Sequence, residues 1–487
     1  MTPAGGPGPA RPAGSAPRLL VVGDVILDRD LVGDVNRVCP DAPAPVLDVR
    51  RRLERPGGAG LAALLAARHG PAEVTLATCL GDDAAGDRVR TGLLGAVRLV
   101  RLGKLAGTRR VTRLRSRGQS LARIDENGSE VGGGAVLDLG LLEAELDRCD
   151  AVLVADYGAG VAAHPGVRAL LAHRAPRRPL VWDPHPHGRE PVPGAAVVTP
   201  NRAETVTFAA RQGLPGDRDV REVPLDDLAA LLRDAWSARS VAATDGATGV
   251  FTALADTPPL FTPTPTVVAA DTCGAGDRFA AAVATALAGG AVITEAIEGA
   301  VQDVAAWLGA GGVGGLDGAA PGVRPGMPPA GAGPAPGAGS GMARVAATRA
   351  AGGTIVATGG CFDVVHAGHV ASLRAARRLG DCLVVLLNSD DAVRRLKGPD
   401  RPVHRVADRV AVLESLECVD AVVVFDDDTP DATLRRLRPH IWAKGADYAG
   451  ATLPEAGPVR GWGGRVVLLP YLPGRSTTRI LHREGHR

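Results

Sequence analysis

Apolar runs three to six residues long alternate along this chain with longer stretches whose apolar positions recur at helical spacing. In the first part the runs are Leu19–Gly23, Ala151–Ala155, Leu180–Trp182, Ala196–Thr199 and Val241–Thr244; in the last they are Ile355–Thr358, Cys382–Leu387, Ala421–Phe425 and Val466–Leu469. This alternation predicts α/β architecture, with parallel sheets covered by helices on both faces. The pattern breaks once. Between Gly318 and Gly341, 20 of 24 residues are Gly, Ala or Pro, with almost no apolar side chain to bury, so the stretch should behave as a flexible linker. The expected division is a disordered start (1–17), a first domain (18–316), a linker (317–343) and a smaller second domain (344–487). No internal repeat is visible.

Composition narrows the picture. A chain of 487 residues exceeds one ordinary core, and 45% hydrophobic with 22% charged residues describes a globular protein. A net charge of +2 and 3% aromatic residues give no case for nucleic acid or an anionic membrane as partner. Seven scattered cysteines without a CxxC point to reduced thiols in the cytoplasm and away from a zinc site. The first 17 residues lack the apolar core of a signal peptide, and the longest apolar run, Ala280 to Ile293, is too short to span a bilayer.

Candidate chemistry sits where strands give way to Gly-rich turns. Residues 271–277 read DTCGAGD ahead of an Ala-rich helical run. Gly274, Ala275 and Gly276 can present successive amides at a helix start, a cradle for a phosphoryl group gathering negative charge. Asp277 beside it could take a proton from an attacking sugar hydroxyl, or could simply cap the helix. Asp24 closes the first strand at the edge where open α/β sheets bind ligands, and Gly57–Gly58 lets backbone approach a sugar; a turn acid and a plain Gly turn are the alternatives. Asn201, Arg202, Ala203 and Glu204 follow another strand. Asn201 and Glu204 could hold hydrated Mg²⁺, with Glu204 nearest the metal, or form a capping box.

In this order the residues resemble the ribokinase-like sugar kinases over about 18–316. The segments 23–46 and ERPGGAG are similar to the kinase half of the bifunctional heptose-7-phosphate kinase/heptose-1-phosphate adenylyltransferases. That resemblance implies a three-layer α/β/α kinase domain with a small β lid formed near 30–50 and 109–125. It implies Asp277 as catalytic base, Gly274 to Gly276 as anion hole, and Asn201 to Glu204 serving Mg-ATP. Three positions depart from the family pattern: Leu61 stands for a sugar-contacting Asn, Asp245 for a basic residue, and Ala159 for a Lys.

The second domain carries TGGCFDVVHAGH (358–369). A helix starting near Ala367 would set His366 and His369 on one face, ready to neutralise a triphosphate under in-line attack. Lys397 and Arg409 are further cations within reach of a polyphosphate, and Ser476, Thr477 and Thr478 offer hydroxyls at a second helix start. Each alone also reads as a solvated charge or an N-cap. Together they resemble the cytidylyltransferase-like branch of the HxGH nucleotidylyltransferases, a Rossmann-like fold, and match the adenylyltransferase half of the same heptose enzymes. The resemblance implies ATP binding by Thr358, Gly359, Phe362, Lys397, Arg409 and Ser476 to Thr478, with His366 and His369 at the α-phosphate and no covalent intermediate.

The implied reactions are phosphorylation of heptose 7-phosphate at C1 and transfer of AMP to heptose 1-phosphate, both using ATP and Mg²⁺. A separate phosphatase must remove the 7-phosphate between them. A homodimer is one assembly open to such a chain. Two alternatives stand: a second half using CTP, GTP or a polyol phosphate, and a first half weakened to a sugar-binding module by Leu61, Asp245 and Ala159.

Overall fold

The computed structural model describes residues 16–317 and 341–470, apart from 71, 118, 127, 217, 268–270 and 446–452. Most of the expected linker and N-terminal start lie outside these residues, as do Ser476, Thr477 and Thr478. The chain forms two compact units, residues 1–250 with 264–326, and residues 251–263 with 327–487.

In the first unit the strands are β1 (Arg18–Gly23), β2 (Val25–Val38), β3 (Pro45–Gly58), β4 (Glu73–Gly81), β5 (Arg98–Leu105), β6 (Arg110–Ser116), β7 (Gln119–Glu126), β8 (Ala151–Ala155), β9 (Leu180–Asp183), β10 (Val197–Val198) and β11 (Ser240–Thr244). The main sheet runs β11-β10-β9-β8-β1-β4-β5, and these pairings are parallel. All five residues of β8 are buried, as a strand covered on both faces requires. The helices Ala59–His69 and Ala275–Ala288 are rich in alanine, so their backbones pack closely in one core with Leu19, Val21, Leu65 and Leu153. From β1 the chain winds to β4 on one side and later returns to β8 on the other. The end of β1 is therefore a switch point, where an open sheet leaves a crevice.

Over this crevice stands a second sheet, β3-β2-β6-β7. β2 and β3 form a long antiparallel hairpin from Val25↔Gly58 to Val38↔Pro45, and β7 is exposed along its whole length. This is the small lid, built from the two segments expected to form it.

Two further strands follow, β12 (Gly249–Leu254) and β13 (Leu260–Pro263). The Rossmann-like part of the second unit contains β14 (Ile355–Gly360), β15 (Cys382–Asn388), β16 (Ala421–Phe425), β17 (Ile441–Gly445) and β18 (Arg465–Leu469), in the order β16-β15-β14-β17-β18, all parallel. Its core centres on the fully buried Trp442, with Leu386, Val384 and Leu434 around it. Here β14 occupies the switch point, and the HxGH loop leaves its C-terminal end.

Candidate active sites

The first site forms at the start of the Ala275–Ala288 helix. Gly274 is its N-cap at φ 77°, a left-handed conformation in which an added Cβ would lie 3.0 Å from Val313 and 3.2 Å from Leu61. The turn is closed by the Ala275 amide donating to the Thr272 carbonyl at 3.1 Å. The cradle expected from Gly274, Ala275 and Gly276 thus loses the Ala275 amide and keeps that of Gly276, the second helical residue, whose amide a helix leaves without an internal partner. Leu61, in place of the family's Asn, is a core residue at 2% exposure against the back of this turn.

Asp277 is 8% exposed, and the Tyr157 hydroxyl donates to its Oδ1 at 2.6 Å. Burial pushes the carboxyl up to about 7; the Tyr157 hydrogen bond opposes this, and the charges of Asp28 and Glu204 add to it. Asp183, at the end of β9, is likewise held well above the usual carboxylate range by burial and by Asp277 and Glu204, while Thr199 donates to it at 2.8 Å. Three acids thus share one neighbourhood. Motif reading missed Tyr157 and Asp183, although the strand-end rule that picks out Asp24 also picks out Asp183, and Tyr157 lies in the ADYGAG run.

Asp24 is spent on that same run. Its oxygens accept the amides of Tyr157 (3.2 Å), Ala159 (2.9 Å) and Val161 (3.0 Å), so it fixes the loop that carries Tyr157. Gly58, at φ 58°, approaches the Asp24 carbonyl, and Gly57 backs onto the Asp28 carboxylate. Asp28 pairs with Arg113 at 2.8 Å, and Asp30 with the buried Arg55 at 3.0 Å. Arg115 reaches Asp271, just before the GAGD turn, at 2.7 Å. The lid therefore brings alternating acids and arginines over the crevice, which two-residue motifs do not reveal.

Asn201 and Glu204 form a complete capping box. The Glu204 amide donates to Asn201 Oδ1 at 3.0 Å, and the Asn201 amide donates to Glu204 Oε2 at 2.8 Å. Capping leaves the electrostatic contact intact, since the Glu204 charge is felt at Asp277 and Asp183. Arg202 forks onto Asp245, with Nε at 2.6 Å and Nη2 at 2.7 Å. The acid standing for a basic residue thus has its own cation, while Ala203 lies exposed between the capping residues.

The second site begins at His366, the N-cap of the Ala367–Arg377 helix. Its Nδ1 accepts the Gly368 amide at 3.1 Å, so the neutral ring carries its proton on Nε2. The His366 and His369 rings stack with centroids 3.9 Å apart, and Phe362 packs on His369 at 5.2 Å. Burial, then the charges of His366 and Lys397, push His369 down to about 4, so that ring is neutral near pH 7. The charge of the exposed Lys397 is thus felt at His369. Phe362 has φ 43°, a strained setting for a bulky residue that marks the loop as functionally constrained. Gly359 lets the Trp442 ring close in, since an added Cβ would be 2.7 Å from it, and Thr358 is buried beside it on β14.

Arg409 departs from the sequence expectation. At 2% exposure it donates to the His404 carbonyl (3.1 Å), the Cys361 carbonyl (2.6 Å) and Asp390 (2.7 Å), bracing the loop from within instead of facing the crevice. Asp363, missed in the motif, braces the same loop from the other side, accepting Arg401 and the Val403 and His404 amides.

Two family models match the chain, one in each part. The pfkB family carbohydrate kinase model matches residues 174–308, and the cytidylyltransferase-like model matches 357–469. The bifunctional protein HldE of Streptomyces coelicolor is 48% identical over 96% of this chain and 97% of its own length. That of Halorhodospira halophila is 38% identical, covering 96% of this chain and 98% of its own. Among solved structures, the ribokinase of Thermotoga maritima is similar at 21% identity and a TM-score of 0.44, covering 60% of this chain and 92% of that one. With full-length identity to such relatives and both domain models matched in order, the chain belongs to the bifunctional HldE family of kinase–nucleotidyltransferases.

Proposed function

We propose that this chain phosphorylates heptose 7-phosphate at C1 and transfers AMP from ATP to heptose 1-phosphate, two steps of ADP-heptose synthesis. The observation that carries the first step is Asp277 held by Tyr157 at an open helix start. Tyr157 occupies Oδ1, which leaves Oδ2 to take the proton of the anomeric hydroxyl. As the sugar oxygen bonds to the γ-phosphorus, the bond to the ADP oxygen breaks, and charge on the moving group falls on the helix start at Gly276. Mg²⁺ suits the mutual repulsion of Asp183, Glu204 and Asp277. Among the described residues no three acidic, His or Cys side chains converge as ligands, so Glu204 would hold the ion through water and nucleotide phosphates.

In the second step a sugar phosphate oxygen attacks the α-phosphorus of ATP and pyrophosphate leaves. His366 donates from Nε2, His369 stacks behind it, and Lys397 neutralises the departing phosphates. Ser476, Thr477 and Thr478 complete the phosphate contacts in this reading. The bisphosphate made first must lose its 7-phosphate before the second step, a hydrolysis assigned to a separate phosphatase. No helix among the described residues is long and apolar enough to cross a membrane, and we place the chain in the cytoplasm with its nucleotides.

The test supplies purified chain with heptose 7-phosphate, Mg-ATP and a bisphosphate phosphatase, and follows nucleotide sugars by mass spectrometry. ADP-heptose is expected. Formation of product only when CTP or GTP replaces ATP would transfer the second half to another nucleotide, and no bisphosphate at all would reduce the first half to a binding module.

A further inference from the structure

Arginines of the first unit such as Arg55, Arg113 and Arg115 end on carboxylates. Arg168, Arg189 and Arg211 do not, and they line one cavity of about 650 Å³ between the helices Pro165–Arg174 and Arg202–Arg211 and the loop after β9. Among the described residues no carboxylate comes within ion-pair distance of these guanidiniums. Glu190 is the one acid in the wall, and it meets Arg168 through its backbone carbonyl, which accepts Nη1 at 2.8 Å. Aromatic rings set the guanidinium planes instead. Arg168 Cζ lies 5.6 Å from the centre of the buried Trp182 ring, and Arg211 Cζ lies 5.4 Å from that of the buried Phe208. A guanidinium stacked in this way keeps its N–H edge free to fork onto an oxyanion. Arg189 is brought in by its backbone, whose amide donates to Asp156 Oδ2 at 3.2 Å. Neighbouring Gly188 passes so close to that carboxylate that an added Cβ would collide with it. Asp156 thus fixes the loop from behind and takes no place in the cavity wall.

We propose that this cavity binds a small molecule through a dianionic phosphate group. Three guanidiniums against one carboxylate leave the wall an excess of positive charge that a phosphate dianion balances. A volume of this order also holds an organic group attached to the phosphate. Without an anion the cluster opposes itself: burial, together with the like charge of Arg189, holds the Arg168 guanidinium below its ordinary range despite the pull of Asp156 and Glu190. A phosphate relieves that repulsion, an uncharged ligand leaves it in place, and a cation adds to it. None of the residues placed at the Asp277 site lines the cavity, so this is a second site, and it does not rest on the kinase reading.

Titration calorimetry on the full-length chain tests this, with inorganic phosphate and glycerol 3-phosphate as separate probes at constant ionic strength. Phosphate also meets the two nucleotide crevices, so the readout is the binding event that arginine variants lose and that Asp277→Asn and His369→Ala keep. Arg168→Gln/Arg211→Gln should raise the Kd of that event about 10-fold or more, and Arg168→Lys should keep part of the affinity. Arg211→Glu, an exposed change that leaves the core untouched, should weaken it as well. The KM values for heptose 7-phosphate and Mg-ATP should stay within about twofold of wild type in all three. The tighter of the two probes tells whether the natural ligand is free or esterified phosphate. Phosphate affinity unchanged in both the double variant and Arg211→Glu overturns the site. So does a KM that rises in step with the Kd, which would merge the cavity with the kinase crevice, or displacement of phosphate by equimolar chloride, which would reduce the cluster to a solvated patch. Loss of sugar phosphorylation in the wild type, with the arginine-dependent event still present, would remove the kinase reading and leave this site standing.

Discussion

Asp277 shows how one carboxylate is fitted to its task. To accept a proton it must be ionised, and burial sets its midpoint at about 7. Kinase turnover should therefore climb as pH rises through about 7 and flatten above it, read from a kcat–pH profile. The groups facing Asp277 are Tyr157 from the loop after β8, Asp28 from the lid, Glu204 after β10, and Asp183 on β9. Of these, only Tyr157 favours the ionised form. Tyr157→Phe should then shift the rising limb to higher pH and lower kcat about tenfold at pH 7. An unmoved limb would mean that the phenol only fills space. At this scale the sequence was half legible. Asp277, His366 and His369 stand in local motifs and could be named. Tyr157 is 120 residues from its partner and Arg113 is 85 from Asp28, so only folding reveals what they touch.

Secondary elements were easier to read than their internal braces. Strand positions followed from apolar runs, and the helix start at Ala367 from the Gly-rich loop before it, because both signals are local. The role of Arg409 was not local. An Arg opening a helical run beside other cations looks like a phosphate ligand, yet three acceptors from three different segments enclose it. Arg409→Ala should therefore destabilise the nucleotidyltransferase unit by about 3–5 kcal/mol with no substrate present, since Asp390 and two carbonyls lose their donor. Urea unfolding of that unit measures it. A variant of normal stability with weakened ATP binding would return Arg409 to the phosphates.

For the whole molecule, two domain models match in sequence, and each unit has its own core and its own switch-point crevice. Chemistry in one should survive its loss in the other. Asp277→Asn is expected to remove sugar phosphorylation, with activity down about 10³-fold or more, and leave adenylyl transfer intact; His369→Ala should do the reverse. Assaying both reactions on each variant checks this, and loss of both from either single change would contradict it. That the chain holds two blocks can be read from composition, because a Gly/Ala/Pro-rich stretch with nothing to bury stands out, but residues 251–263 group with the second unit, which the linker does not announce.

The Arg202–Asp245 fork bears on how such a chain diverges. Its two ends lie 43 residues apart and complete each other with paired hydrogen bonds. Losing Arg202 leaves the mostly covered Asp245 carboxylate without its paired donor, while the half-exposed Arg202 can turn to water when Asp245 is lost. The two codons should therefore drift under unequal restraint, a change at 202 being felt more than one at 245.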